Sequence, residues 1–161
     1  MLGGILADEP GARAIAGMRN EMELTTVEFL NWEKQTCVGV ETIDREHREL
    51  SQAINDLHAA ALQDGQQSLT GPLLRKVAEV ARAHFSSEEG LMLSSKYPGM
   101  ALHLFKHQYL MEQIEALLAR VSRGGFKLTE YSMTFLRDWF NTHIQEEDTQ
   151  FGVWLNETGK H

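Results

Sequence analysis

Four stretches of this chain place their apolar residues at alternating steps of three and four, the spacing of a helix that buries one stripe against its neighbours. In the first, from about Thr42 to Leu62, the stripe is Ile43, His47, Leu50, Ile54, Leu57 and Ala61, and Asp64-Gly65 ends it. The second begins near Thr70, a residue suited to capping, with Pro72 tolerated in the opening turn. Its inward line is Leu73, Val77, Val80, His84, Glu88 and Leu91. Pro98 disfavours helical geometry at Tyr97, so this helix stops before Tyr97-Pro98-Gly99. The third carries His103, His107, Leu110, Ile114, Leu117 and Val121 as far as Gly124-Gly125. The fourth runs from about Thr129 into the Glu146–Asp148 region, with Leu136, Phe140 and His143 facing one way and Trp139 on the flank. Strand-like alternation is not sustained anywhere. Four helices of about 20 residues, each about 30 Å long and joined by short connections, predict an all-α, antiparallel up-down-up-down four-helix bundle.

A length of 161 residues supports one core. Residues 1–31, broken by Gly3, Gly4, Pro10, Gly11 and Gly17, form an expected N-terminal arm, partly ordered, with a short helix over Ala12 to Leu24. Phe29, Leu30 and Trp32 are its expected packing residues, and the arm is a candidate surface for a protein partner. The bundle domain is assigned to 32–155 and a flexible tail to 156–161, although Phe151, Val153 and Trp154 argue that the chain just before that tail is not wholly solvated. Twenty-three Asp and Glu against fifteen Lys and Arg give a net charge of -8, which disfavours nucleic acid and anionic lipid as partners. No segment nears the roughly 18 apolar residues of a membrane span. The one cysteine, Cys37, rules out an intrachain disulfide and a four-thiolate iron–sulfur cluster; it reads as a small packed residue. The expected compartment is the cytoplasm and the expected state a monomer.

Each apolar stripe is interrupted by groups that bind metals. The first helix offers His47; the second His84 and Glu88, four apart and on one face; the third His103 and His107, again four apart; the fourth His143, followed by Glu147 and Asp148. His47 is early in its helix, His84 and Glu88 are late, His103 and His107 are early, and His143 is late. In an antiparallel bundle all four segments therefore meet at one end. Burying so many imidazoles and carboxylates without partners would cost several kcal/mol, on the order-of-magnitude scale of polar burial. Two cations resolve that cost, and a nitrogen and oxygen donor set suits iron, with zinc or manganese also compatible. The second carboxylate is ambiguous. Glu147, four residues after His143, shares its face, whereas Asp148 lies about 140° away on an ideal helix and needs a wide local turn, fraying or a side chain reaching back.

These segments resemble the hemerythrin family, in particular its single-domain bacterial members. The resemblance rests on Trp32-Glu33 through Val38-Gly39-Val40 and on Ile43-Asp44-Arg45-Glu46-His47-Arg48-Glu49-Leu50. It continues in His84-Phe85-Ser86-Ser87-Glu88-Glu89 with Met92, then Tyr97-Pro98, His103-x-x-x-His107 and Trp139-x-x-x-His143-Ile144 ending in Asp148. It implies one iron held by His103, His107 and His143, a second held by His47 and His84, and Glu88 and Asp148 bridging both together with an oxo or hydroxo group. The implied function is reversible dioxygen binding, as carrier, store or local supplier. The alternatives are an oxygen or redox sensor and a diiron enzyme acting on peroxide or nitric oxide. Choosing Asp148 over Glu147 predicts a local widening of the fourth helix.

Leu50, Leu91, Leu110, Trp139 and Phe140 are candidates for an apolar wall, and Leu110 stands where many family members carry an aromatic residue. Glu46, Glu89 and Glu146 are expected to be solvated surface groups rather than acceptors for the imidazoles. His58 falls near the first stripe about 16 Å along the axis, too far to join the cluster, and is expected to be a boundary histidine.

Overall fold

The computed structural model describes residues 29–31 and 37–160. The short helix expected over Ala12 to Leu24 and the packing expected of Trp32 lie outside them. Among the described residues there is no strand, and the helices are α1 (Glu41–Leu62), α2 (Gln67–Ser95), α3 (Met100–Ser122), α4 (Glu130–His143) and α5 (Thr149–Thr158), with a π-helical turn at Ile144–Asp148 joining the last two. His143, Asp148 and Thr149 all keep right-handed helical dihedrals, so α4, the π turn and α5 form one continuous fourth helix. That helix runs on through Thr158 to a left-handed Gly159, so the segment assigned to a flexible tail begins inside a helix.

Local chemistry explains most boundaries. No side chain caps α1; instead the Asp44 carboxylate in its first turn accepts hydrogen bonds from the Val38 and Gly39 N–H groups at 2.7 and 3.2 Å. This fixes the incoming chain and places negative charge at the positive end of the helix. Helix α2 starts earlier than Thr70, whose hydroxyl donates back to the Gln67 carbonyl at 2.7 Å from inside the helix. At the other end Lys96 adopts φ 61°, its N–H bonding Leu93 O while the Tyr97 N–H bonds Met92 O. This is a Schellman closure made without glycine. Thr129 and Ser132 build a capping box at the start of α4.

The first, third and fourth stripes face the core as their periodicity predicts, with Ile43, Leu50, Ile54, Leu57, Ile114, Leu136 and Phe140 buried. Full burial of side chains of this size contributes about 1.5–3 kcal/mol each. The predicted line of α2 holds in part: Val77, His84 and Glu88 are buried, Leu73, Val80 and Leu91 sit at the boundary, and the buried face widens by one position to take in Leu74, Ala78, Ala81, Phe85 and Met92. Phe29 and Leu30 do pack on the bundle. Asn55 of α1 grips Leu30 from both sides, its Oδ1 accepting from the Leu30 N–H at 2.7 Å and its Nδ2 donating to the Leu30 carbonyl at 2.9 Å. His58 stacks on Phe29 at 3.9 Å, at the boundary where the sequence puts it. Cys37 is exposed, a correction to its expected packing, because Val38 beside it takes the buried place.

Helix α5 comes unusually close to this incoming chain. A Cβ built on Gly152 would lie 2.4 Å from the Val38 carbonyl oxygen, so only glycine admits the contact. Among the described residues no helix is long and apolar enough to cross a membrane.

Candidate metal centre

The antiparallel order brings early α1, late α2, early α3 and the end of the fourth helix to one level. His47, His84, Glu88, His103, His107, His143 and Asp148 are all buried there. Their ligand-capable atoms form two groups, each with every atom within 4.8 Å of the others: Glu88, His103, His107, His143 and Asp148 in one; His47, His84 and Asp148 in the other. The five imidazoles turn Nε2 inward. His103 Nε2 lies 3.0 Å from Asp148 Oδ1 and 3.3 Å from Glu88 Oε2, and His107 Nε2 lies 3.2 Å from Glu88 Oε2. His143 Nε2 is 3.1 Å from Asp148 Oδ1. On the opposite oxygen, Asp148 Oδ2 is 3.0 Å from His47 Nε2 and 4.0 Å from His84 Nε2. Asp148 is thus the shared member, one oxygen facing each group.

The π turn makes this possible. Its extra residue per turn carries the chain from His143 round to Asp148, with the Thr149 N–H bonded to Ile144 O five residues back. Glu147, which an ideal helix would have aimed inward, points to the side and pairs with Lys106 of α3. The widened helix expected from the family resemblance is present, and the ideal-helix choice of Glu147 is not followed. Single π turns inside α-helices occur frequently at functional sites.

Two acidic residues expected to be solvated lie against the imidazoles. His84 Nδ1 is 3.2 Å from Glu46 Oε2, and His107 Nδ1 is 3.0 Å from Glu89 Oε1. A carboxylate on the outer nitrogen leaves Nε2 with its lone pair toward the cluster and fixes the ring plane. Glu46 adjoins His47 in sequence but serves a ring on the neighbouring helix, and Glu89 likewise crosses from α2 to α3. Neighbour position in the sequence points away from the partner, which is why periodicity does not find them. Glu146 is exposed, as expected. Phe85 stacks on His107 at 3.9 Å and meets His143 edge-on, an apolar wall residue one position off the predicted α2 line. Phe140 packs edge-on to His47. Leu50, Leu110 and Trp139 are buried as expected of the wall, while Leu91 is only half-buried.

Electrostatics inside the cluster are uneven. Burial pushes Asp148 up, yet the surrounding His143, His103 and His47 hold it well below the usual carboxylate range. Burial and the Asp148 charge push Glu88 up, but the close imidazoles of His103 and His107 bring it below its ordinary value. Burial pulls His103 down, and its contacts with Asp148 and Glu88 overcome that and raise it to about 9. Burial, helped by the neighbouring His107 and His103, lowers His143 to about 4 against the pull of Asp148. Protons alone therefore leave one ring charged and its neighbour neutral.

The donor set fits cations better than protons. Both Glu88 oxygens, Asp148 Oδ1, His84 Nε2 and His103 Nε2 are buried and lack a well-aligned hydrogen bond among the described residues, despite the short separations above. Those separations are distances across a shared space, with poor hydrogen-bond angles. Unsatisfied buried carboxylate oxygens are costly, and convergent oxygen and imidazole donors match iron.

The sequence profile described as the hemerythrin HHE cation binding domain matches residues 38–155. The chain belongs to the hemerythrin family. It is 27% identical over 123 residues to a bacteriohemerythrin of Stenotrophomonas maltophilia (strain R551-3), covering 76% of this chain and 79% of that one. It is 25% identical over 120 residues to a myohemerythrin of Sipunculus nudus, covering 74% and 88%. A solved wild-type hemerythrin superposes with a TM-score of 0.73 at 25% identity, over 78% of this chain and 96% of the other. Hemerythrins are four-helix proteins that bind dioxygen at a non-haem diiron centre, and the His, Glu and Asp cluster here could hold such metals.

Proposed function

We propose that this hemerythrin binds dioxygen reversibly, as carrier, store or local supplier, with His103, His107 and His143 holding one iron and His47 and His84 the other. Glu88 and Asp148 would bridge the two, together with an oxo or hydroxo group. The observation that carries this is Asp148, which presents one oxygen to each group of imidazoles. Two ferrous ions held by these residues would supply the reversible two-electron chemistry that dioxygen binding needs.

The protein's own part is to count donors, orient them and keep water out. Two imidazoles share Asp148 on one side and three, with Glu88, share it on the other, so the first side supplies one imidazole fewer and would leave a position for a further small ligand. Glu46 and Glu89 hold the rings of His84 and His107 against rotation. Phe85, Phe140 and Phe151 pack on His107, His47 and His103, and Leu50 and Ile144 are buried beside the ligand turns, an apolar surround that would hinder the external protons that make oxidation irreversible. A groove of about 440 Å³ between α3 and α4, lined by Leu110, Tyr109, Phe135, Trp139 and His143, leads toward the three-histidine side.

All seven side chains come from one chain, which supports a monomer as the functional unit. The one cysteine fits a reducing compartment, and we place the protein in the cytoplasm. The test is metal analysis followed by cycles of reduction, dioxygen exposure and dioxygen removal under a visible spectrometer. Two irons per chain and a band that develops with dioxygen and disappears without it are expected; irreversible bleaching on the first exposure would reject reversible binding.

A further inference from the structure

An unbroken file of aromatic rings leads from the cluster to the surface beside α5. Phe151 stands at 90° to His103 with ring centroids 6.4 Å apart. Tyr97 lies 4.8 Å from Phe151, and Trp154 lies 5.3 Å from Tyr97. Lys160 Nζ sits 4.8 Å above the Trp154 ring. Phe151 is fully buried, whereas Tyr97 and Trp154 are half-buried and reach solvent. Nothing in oxygen binding calls for this arrangement. A phenol and an indole give up an electron more readily than imidazole or benzene rings, so the file ends in the two side chains best able to be oxidised in place of the histidines.

Resting on the diiron reading above, we propose that Tyr97 and Trp154 form a relay that supplies electrons to the centre when hydrogen peroxide oxidises it, giving the protein a protective peroxide-reducing activity. The balance closes without leftover charge. Hydrogen peroxide takes two electrons and two protons, one of each from the Tyr97 phenol and one of each from the Trp154 indole. Its O–O bond breaks, two waters leave, and the centre returns to its starting oxidation state, with a neutral radical on each side chain. Two molecules of a low-molecular-weight thiol then return a hydrogen atom to each ring and join as a disulfide. Lys160 suits that last step: its ammonium favours loss of the indole proton on oxidation and attracts an anionic thiol to the outer end of the file. A second route is geometrically open, through Phe85, stacked on His107, to Trp139 at 6.3 Å. Trp139 is 8% exposed and lines the groove between α3 and α4, so Trp139→Phe reports whether this second route carries the electrons instead.

Two measurements test the relay. The native Cys37 is exposed and adjoins Val38, which touches Gly152 on the helix that carries Trp154. A thiol-reactive ruthenium polypyridyl dye on Cys37, oxidised by flash and quencher, should draw an electron from Trp154 and then from Tyr97. Transient absorption of the two radicals is expected in the wild type and a loss of at least five-fold in Trp154→Phe. In the second measurement, iron-loaded protein is mixed with hydrogen peroxide and freeze-quenched. Electron paramagnetic resonance should show tyrosyl and tryptophanyl radicals, lost in Tyr97→Phe/Trp154→Phe and kept in Trp139→Phe. Mass spectrometry should find oxidation moved onto His103 and His107 by at least five-fold in the double variant. A protein holding two irons with the same radical yield in the double variant, or with radicals lost only in Trp139→Phe, overturns the relay alone. A chain that takes up no iron overturns the diiron function and this activity with it, as metal content shows by itself.

Discussion

Asp148 lies five residues after His143, yet its Oδ1 comes within 3.1 Å of His143 Nε2. An ideal α-helix would put these side chains about 140° apart; the π turn at Ile144–Asp148 closes that angle. The same turn sends Glu147 outward to Lys106. Asp148→Ala should therefore reduce bound iron from two per chain to one or none. Glu147→Gln should keep both irons and cost about 1 kcal/mol, as for a part-buried ion pair at the bundle surface. Iron analysis and a thermal melt on the two variants separate the roles, and equal iron loss in both would contradict them.

Glu46 and Glu89 should matter beyond their size. Each accepts from the outer nitrogen of an imidazole whose inner nitrogen faces the cluster. Glu46→Gln and Glu89→Gln should each weaken metal affinity roughly 10- to 100-fold, the usual effect of losing such a partner. Competition with a chromogenic chelator reads this directly. Glu49→Gln, an exposed site on the same helix, serves as the reference and should leave affinity unchanged.

Removing the metals should make stability depend on pH in both directions. Folded His143 stays neutral down to about 4, while an unfolded histidine protonates near 6.5. Between those values acidification favours the unfolded chain. Folded His103 keeps its proton up to about 9, so its contribution is complete below 6.5 and is lost as pH rises from 6.5 to 9. Each limb is worth roughly 1–3 kcal/mol at 1.4 kcal/mol per pKa unit, discounted for coupling between the rings. The chelator-treated protein should be most stable near pH 6.5. Iron-loaded protein, with both rings held as neutral donors, should lack the decline toward pH 9. Urea midpoints at pH 5, 6.5 and 9 check both curves, and a flat metal-free profile would refute the assignment.

Gly152→Ala should destabilise the protein by about 1–3 kcal/mol, the range for overpacking a close contact. The added methyl meets backbone at Val38, which cannot rotate away, and Val38 is itself held by Asp44. Chemical denaturation measures the loss. Gly90→Ala on α2, where a Cβ meets nothing within 4 Å, should instead be neutral or mildly stabilising.

Much of this was legible in the sequence because periodicity encodes which residues share a face. Ile43, His47, Leu50, Ile54 and Leu57 announced both the α1 stripe and the level at which His47 enters the core. The predicted stripe of α2 catches Val77, His84 and Glu88 but is too narrow, since Leu73 and Leu74, Val77 and Ala78, and Val80 and Ala81 offer two adjacent registers of similar hydrophobicity and the buried face draws on both. Phe85 was hidden for that reason. Glu46 and Glu89 were missed because a helical pattern reports the face of a residue on its own helix and is silent on the ring it meets on the next. Asp148 needed the family resemblance: the π turn changes the period itself, and no fixed period predicts where it will change.

His47 and Asp148 meet across a sequence separation of 101 residues. The pocket is consequently closed only when the last helix is in place. A chain still on the ribosome with Asp148 inside the exit tunnel would expose a half-built set of imidazoles that cannot retain a bridged pair of ions. Loading must follow synthesis of the whole bundle, and any truncation upstream of Asp148 should yield a protein unable to hold the bridged pair of irons.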